Sequence, residues 1–443
     1  MSAIERRAFL PFPPACRVRY DNNMLNDTAN QVLAAIDARQ SELVALLQAL
    51  VRIPSESDAA GGNEGACQRF VMQKMRGLGL EIDSFQLKDV PSARQHPAWL
   101  ELKQNYHGRP TVVGKWAGGD GPSLMLLAHV DTVPAGDLRG WTRDPWSGEI
   151  VDGKVFGRGA CDDKNGTAAM LFAVEVLRGL GFQPAGDLYL ASTIHEEGGY
   201  GNGIILLGER GYRPGGALYL DGRVGNASLT WHGAGDLFLD IRPAKSARRQ
   251  VWAIHRRVEE IIHLLREERA AIFAANPHFA GSNAAGRSIA ASPIIPRYFD
   301  RLRATPALRY CIHISSVTGE VEAEIKRRVE EAFRDGLREF GARLTFTYPS
   351  AWFEPVHYGA DTAISRTLIA AATAANGYPP PIACGSKSDG YIFFNHYGVP
   401  VANYGTGPFG AGGAHGPDEA LPIPSLVELA KVAALTVLHW QRS

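Results

Sequence analysis

Apolar residues recur at helical spacing over residues 30–52, at Val32, Leu33, Ile36, Leu43, Leu46, Leu47, Leu50 and Val51, so a helix is predicted there, stopped by the IPSES that follows. Residues 65–79 repeat the pattern with Phe70, Val71, Met75 and Leu78, and 80–87 then alternate as a strand does. Strands are predicted at 111–116 and 123–128. The second, SLMLLA, is apolar at consecutive positions, as a strand covered on both faces must be, and it runs into His129. A helix of small and apolar residues follows at 165–180, then buried strands at 187–193 and 216–220. Strands alternating with helices predict an α/β fold, a central mixed sheet flanked by helices.

After Ala234 the texture changes. A strand at 236–241, a charged helix at 250–269, a Gly/Asn/Pro-rich stretch at 276–296, a strand at 308–315, a helix of alternating charge at 320–340 and a strand at 343–348 together read as a small inserted α+β domain. From Asp361 the first texture returns, with an alanine-rich helix, a strand at 400–404, a glycine-rich loop and a final helix at 424–439. The expected organisation is a catalytic domain in two parts, 1–233 and 349–443, interrupted by an α+β lid or dimerisation domain at 234–348.

A chain of 443 residues suits two domains or one with an insertion, and 45% hydrophobic against 21% charged residues is ordinary for a globular protein. The 46 basic and 46 acidic residues balance, which removes any overall field toward nucleic acid or anionic lipid. Five scattered cysteines, odd in number and without a CxxC pair, speak against a disulfide framework. The N-terminus shows early charge and no apolar core of a signal peptide, and no uninterrupted apolar run reaches bilayer length, so a cytoplasmic protein is expected.

Candidate chemistry collects at predicted strand and loop ends. AHVDTVP puts His129 and Asp131 just past a buried strand, where open α/β sheets place their binding loops, and a carboxylate two residues from a ligating His suits the partner of its second nitrogen. GRGACDD delivers Asp162 and Asp163 from a glycine-rich turn to a helix start; STIHEEGG places Glu196 and Glu197 beyond another strand; LYLDG ends on Asp221; GAHGPDE carries His415. Each alone reads equally as a helix cap, a turn or a solvated face. Together they supply His, Asp, Glu, Asp and His from separate segments, a nitrogen and oxygen set suited to zinc, manganese or cobalt, with one of the adjacent glutamates left to act as general base.

On these residues the sequence resembles the metallohydrolase family of carboxypeptidase G, aminoacylase, acetylornithine deacetylase, succinyl-diaminopimelate desuccinylase and the dinuclear dipeptidases. The resemblance runs in order through LVALLQALVRIPS, HVDTVP, GRGACDD, HEEGGYGNG, LDG, GSKSDG and GAHGPDE. It implies one or two divalent ions per subunit (Zn, Mn or Co): one on His129, Asp162 and Asp221, with Asp162 bridging to a second on Glu197 and His415. It further implies Glu196 as general base, Asp131 orienting His129, and an α/β core with an α+β lid.

The lid departs from the family pattern. PAKSARRQ places Arg248 where the family's lid His stands, and CIHISS has His313 and Ser315 where an Asp-x-Arg grips the substrate carboxylate. Candidate substrate contacts are therefore Arg223, His232, Arg287, His313, Ser386 and Asp389, with Ser388 in the same GSKSDG loop. The expected activity is hydrolysis of an amide-type C–N bond in a small carboxylate-bearing molecule. The alternative is an aminohydrolase releasing ammonia from an aromatic amino acid, as in the family's nitroanthranilate aminohydrolase branch. A homodimer or higher homo-oligomer is expected, with no nucleic-acid or membrane partner.

Overall fold

A computed structural model of the chain describes residues 22–58, 60–102, 105–198, 201–222, 225–244, 248–279, 288–294, 308–349, 352–385, 388–405, 407, 409–410 and 412–440. Its main sheet is nine-stranded and mixed. The order is Val356–His357, Ala227–Trp231, Val401–Asn403, Gly216–Tyr219, Leu124–His129, Leu188–Thr193, Thr111–Trp116, Glu81–Phe85, and Ile382–Gly385 pairs parallel with Ala227–Trp231. The four strands Val401–Asn403, Gly216–Tyr219, Leu124–His129 and Leu188–Thr193 run parallel, so their C-terminal ends share one edge.

Alternation along Leu124–His129 explains its unbroken apolar run. Leu124, Leu126 and Ala128 enter one buried cluster, while Met125 and Leu127 enter another on the opposite face. The first face is covered by helices Lys164–Gly179, Ala363–Asn376 and Ile423–Trp440, the second by Asn202–Arg210 and Tyr391–Tyr397. Ile423–Trp440 is long and apolar enough to cross a membrane, yet most of it is buried here against its neighbouring helices. A helix enclosed on several sides needs apolar residues all round, which accounts for its composition.

The chain leaves this sheet at His232 and returns at Phe353, where Ala234 and Phe353 exchange backbone hydrogen bonds of 3.0 and 2.8 Å. Between them lies a four-stranded antiparallel sheet, ordered Ile289–Ile294, Leu308–Ser316, Gly233–Arg242, Arg343–Thr347. Leu237, Leu239, Ile241, Ile312 and Ile314 pack on Ile254, Val258 and Ile261 of helix Arg248–Ala275 and on Ile325, Val329 and Phe333 of helix Glu322–Gly336.

Some elements differ from the sequence reading. The helix predicted at 30–52 is two, Asn22–Ala38 and Gln40–Val51, broken at Arg39, whose guanidinium pairs with Glu42 and with Glu175 of Lys164–Gly179. The stretch at 276–296 holds the strand Ile289–Ile294 despite Pro293; the strand lies at a sheet edge, where the missing N–H of proline is tolerated. Ala227–Trp231, Val356–His357 and Ile382–Gly385, five residues or fewer, were too short to show a period.

Candidate metal and catalytic site

The parallel strands bring the predicted residues to one edge of the sheet. His129 closes Leu124–His129, Glu196 and Glu197 follow Leu188–Thr193, and Asp221 follows Gly216–Tyr219. The edge beyond strand C-termini is where open α/β sheets bind ligands.

The glycine-rich turn before Lys164–Gly179 explains how two adjacent aspartates divide their work. Gly157 and Gly159 have φ of 137° and 86°, and a Cβ at Gly157 would stand 2.4 Å from Val51 Cγ1, so the turn has room for neither an L side chain nor its backbone preference. Asp163 is the helix cap: its carboxylate accepts from Gly166 N and from His129 N, both at 3.2 Å. Asp162, joined to it by a cis peptide, is left for the site.

Asp162 stands between two imidazoles. Its Oδ1 is 3.0 Å from His129 Nε2 and its Oδ2 is 3.3 Å from His415 Nε2. His415 Nε2 also lies 2.8 Å from Glu197 Oε1. Asp162, Glu197 and His415 offer ligand atoms within 4.8 Å of one another, the one such group among the described residues. Asp221 is not drawn into it, although its charge is felt beside Asp162 and His129. His415 holds a φ of 64°, a left-handed conformation that non-glycine residues keep where surrounding structure imposes it.

Asp131 meets His129 through two of its atoms and holds a second group as well. His129 Nδ1 bonds the backbone carbonyl of Asp131 at 2.9 Å, while the Asp131 carboxylate is 3.5 Å away. That carboxylate accepts from the amides of Glu196 and Glu197 at 3.2 and 2.9 Å, and so holds the turn that carries both glutamates.

Crowding of buried acids shapes the electrostatics. Burial, then the charge of Asp162, pushes Asp221 up to about 8. Burial likewise raises Glu196 and Glu197. Burial works against Asp162, but hydrogen bonds from His129 and His415 outweigh it and hold that carboxyl well below the usual range. Burial also opposes His415, and its bonds to Asp162 and Glu197 hold it up at about 11. Concentrated negative charge with imidazole nitrogens facing it is a donor set that fits divalent metal.

A prediction follows for the metal-free protein. Asp221, held up at about 8, and His415, held up at about 11, would each have to give up a proton to a metal bound there, so apparent metal affinity should keep rising with pH through about 8 and on toward 11, with protons released on binding. The folded-state value of Asp221 lies above the ordinary 3.8, so this group favours the metal-free fold at low pH and the contribution is lost as pH rises through about 8. The rise in Tm on adding metal should therefore be larger above pH 8 than near pH 6. Calorimetric titration in buffers of differing ionisation enthalpy checks this; binding without proton release would contradict it.

Below the turn lies a pair the sequence reading did not single out. Glu419 Oε1 accepts from the amides of Cys161 and Asp162 at 2.8 and 3.3 Å, and its Oε2 meets Arg158 Nη1 at 2.5 Å. Both side chains are buried, and burial pushes Glu419 up to about 7. Only the GPDE context, a carboxylate four residues past His415, hinted at it.

Of the expected substrate contacts, Asp389, His232 and His313 are among the described residues. Asp389 is completely buried, its carboxyl pushed up to about 7 by burial, and it feels the charges of His129 and Asp131. His232 is buried at the lid junction, its ring 6.3 Å from that of Phe273. His313 Nδ1 pairs with Asp236 at 2.9 Å on the lid sheet. Arg223, Arg287 and Ser386 lie outside the described residues, as does the side chain of Arg248. A guanidinium does reach the end of strand Leu308–Ser316, from the helix: Arg269 Nε donates to Ser315 O at 3.0 Å, but Glu320 neutralises it at 3.0 and 2.7 Å.

A mixed α/β sheet whose strand ends gather histidines and carboxylates, interrupted by a helix-backed antiparallel sheet, offers the donor set that a metal-dependent hydrolase uses. The chain belongs to peptidase family M20/M25/M40, whose pattern matches residues 125–439, and is a metallohydrolase acting on carbon–nitrogen bonds. It is 28% identical over 422 residues to succinyl-diaminopimelate desuccinylase of Rhodospirillum centenum, covering 90% of this chain and 97% of the relative. Human carnosine dipeptidase 1 shares its fold with a TM-score of 0.69 at 17% identity, over 94% of this chain and 100% of that one. The YXEP protein of Bacillus subtilis, a dinuclear metal-binding peptidase of the M20 family, does so with a TM-score of 0.57 at 15% identity, over 90% and 98%.

Proposed function

We propose that this protein hydrolyses an amide-type C–N bond in a small carboxylate-bearing molecule, of the desuccinylase, deacylase or dipeptidase kind, with Glu196 as general base. The observation that carries the reading is the pair Glu196–Glu197. Glu197 turns to His415 and Asp162, whereas the Glu196 carboxylate makes no hydrogen bond or ion pair with any described residue and feels the charges of His129, Glu197 and Asp221. The name of the desuccinylase relative supports a carboxylate-bearing substrate.

Asp162, Glu197 and His415 would hold one ion, and His129 and Asp221 with Asp162 the other. Bound there, divalent metal supplies a Lewis acid and lowers the pKa of water. The remaining work falls to the protein. Glu196 takes a proton from the attacking water and returns it to the leaving nitrogen, which would otherwise depart as a poor anion. Asp131 keeps the Glu196 backbone fixed while the proton moves. Burial raises the carboxyl of Glu196, in the direction that makes its conjugate acid able to reprotonate nitrogen near neutral pH.

The test uses metal-stripped protein reloaded with Mn²⁺, Zn²⁺ or Co²⁺ and offered N-succinyl and other N-acyl amino acids, dipeptides and aminobenzoates, with amine, acid and ammonia followed separately. The expected result is metal-dependent release of a free amino acid without ammonia. Ammonia from an aromatic amine alone would replace this reading with the aminohydrolase one, and turnover unchanged by metal removal would overturn both. The reading includes a homodimer, supported by strand Arg343–Thr347, which among the described residues leaves one edge of the lid sheet unpaired. A single-subunit mass by light scattering would contradict that part.

A further inference from the structure

We propose that Glu64, Arg109 and His195 form a positioning assembly that sets the aim of Glu196; the inference rests on the hydrolase reading for its kinetic consequence. All three side chains are buried, Arg109 at 4% exposure and the others at 0%. Arg109 Nε and Nη2 grip both oxygens of Glu64 at 2.6 and 2.7 Å, and Nη1 donates to Asn105 O at 3.1 Å. Nη2 also reaches His195 Nδ1 at 3.5 Å and Ser57 Oγ at 3.4 Å. The space for the guanidinium depends on Gly62, where a Cβ would stand 2.1 Å from Nη2.

An arginine has only donors, so the nitrogen of His195 that faces it must be the acceptor. His195 is then neutral with its proton on Nε2. Its ring lies 4.7 Å from that of Tyr106, which also sits under Arg109 with 5.9 Å between guanidinium and ring centre. The imidazole is thus held by a donor at one edge and by an aromatic ring beside it.

His195 is also one of four described non-glycine residues with positive φ, at 66°. A buried residue persists in that conformation only when its surroundings fix it, and such residues gather where geometry matters to function. The next two residues are Glu196 and Glu197, whose amides are taken by Asp131. The turn is therefore pinned from two sides, by Asp131 on the backbone of the glutamates and by Arg109 on the side chain before them. A buried ion pair adds little stability compared with well-packed apolar residues, so its presence under the proposed base is better explained by orientation than by stability.

The test compares full-length, metal-loaded wild type with His195→Phe, which keeps the ring against Tyr106 and removes the acceptor, His195→Asn, which keeps an acceptor near the Nδ1 position, and Arg109→Lys. His195→Phe and Arg109→Lys should each lower kcat by about 10- to 100-fold, with KM and metal content within about twofold of wild type. His195→Asn should recover most of that loss. Independently of substrate, long-range ¹H–¹⁵N correlation on labelled wild type should find the His195 proton on Nε2, and Arg109→Lys should change that signal.

A His195→Phe enzyme with wild-type kcat, equal losses in the Phe and Asn variants, or a proton on Nδ1 would overturn the assembly. If the Phe variant does not fold, Arg109→Lys and the wild-type tautomer decide. If wild type turns over nothing in the panel, the hydrolase reading fails, and the tautomer still supports or overturns the assembly.

Discussion

Replacing Glu196 with glutamine should lower kcat by about a hundred- to ten-thousand-fold, the range a positioned general base supplies, with metal content unchanged. Glutamine keeps the size of the side chain and leaves the backbone bond to Asp131 in place; what it removes is the ability to accept the proton of water. The neighbouring substitution gives the contrast. Glu197→Gln weakens a charged partner of His415, 2.8 Å away, and should lose metal before it loses chemistry. Atomic emission on the purified variants, with kcat measured at saturating metal, separates the two. Near-wild-type turnover in Glu196→Gln would remove Glu196 from its assigned role.

Glu419→Ala should destabilise the protein by about 3–5 kcal/mol, the cost of leaving one member of a buried ion pair alone. Arg158 is 2% exposed and would keep its charge with its carboxylate partner gone. The same change removes the acceptor for the amides of Cys161 and Asp162, so the carboxylate between His129 and His415 should lose its placement. Metal affinity should fall by about 10- to 100-fold, as it does when groups behind a ligand are removed. Arg158→Met with Glu419→Met should recover much of the stability, because no charge is then stranded, but not the metal affinity, because the amides stay unpaired. Urea unfolding and competitive metal titration measure the two effects. Equal stability of the single and double variants would contradict the argument.

The parts of this architecture that depend on one strand or helix at a time were legible in the sequence. Leu124–His129 announced itself because both its faces are covered, and it pointed directly at His129. The inserted unit was visible as a change from apolar strands to charged helices, and the family resemblance tied Asp162, Glu197 and His415 into one group that the structure also brings together. What pairs across long separations was hidden. Glu64 and Arg109 lie 45 residues apart and Arg158 and Glu419 lie 261 apart, with no period linking either pair. The spacing of Asp131 points to the imidazole of His129, which it meets, but not to the backbone amides 65 and 66 residues further on that its carboxylate also accepts from. The burial of Asp389, too, comes from packing that its GSKSDG context does not show.

Strand Val401–Asn403 lies between Gly216–Tyr219 and Ala227–Trp231, although the whole lid separates it from both in the chain. During synthesis, a nascent chain that has emerged as far as the lid holds two strands whose shared neighbour does not yet exist, and His415 of the candidate metal site is still to come. The central sheet therefore cannot close vectorially. Until residues 401–403 leave the ribosome, two strands of the central sheet lack their shared neighbour, and unpaired strand edges are of the kind that invite aggregation.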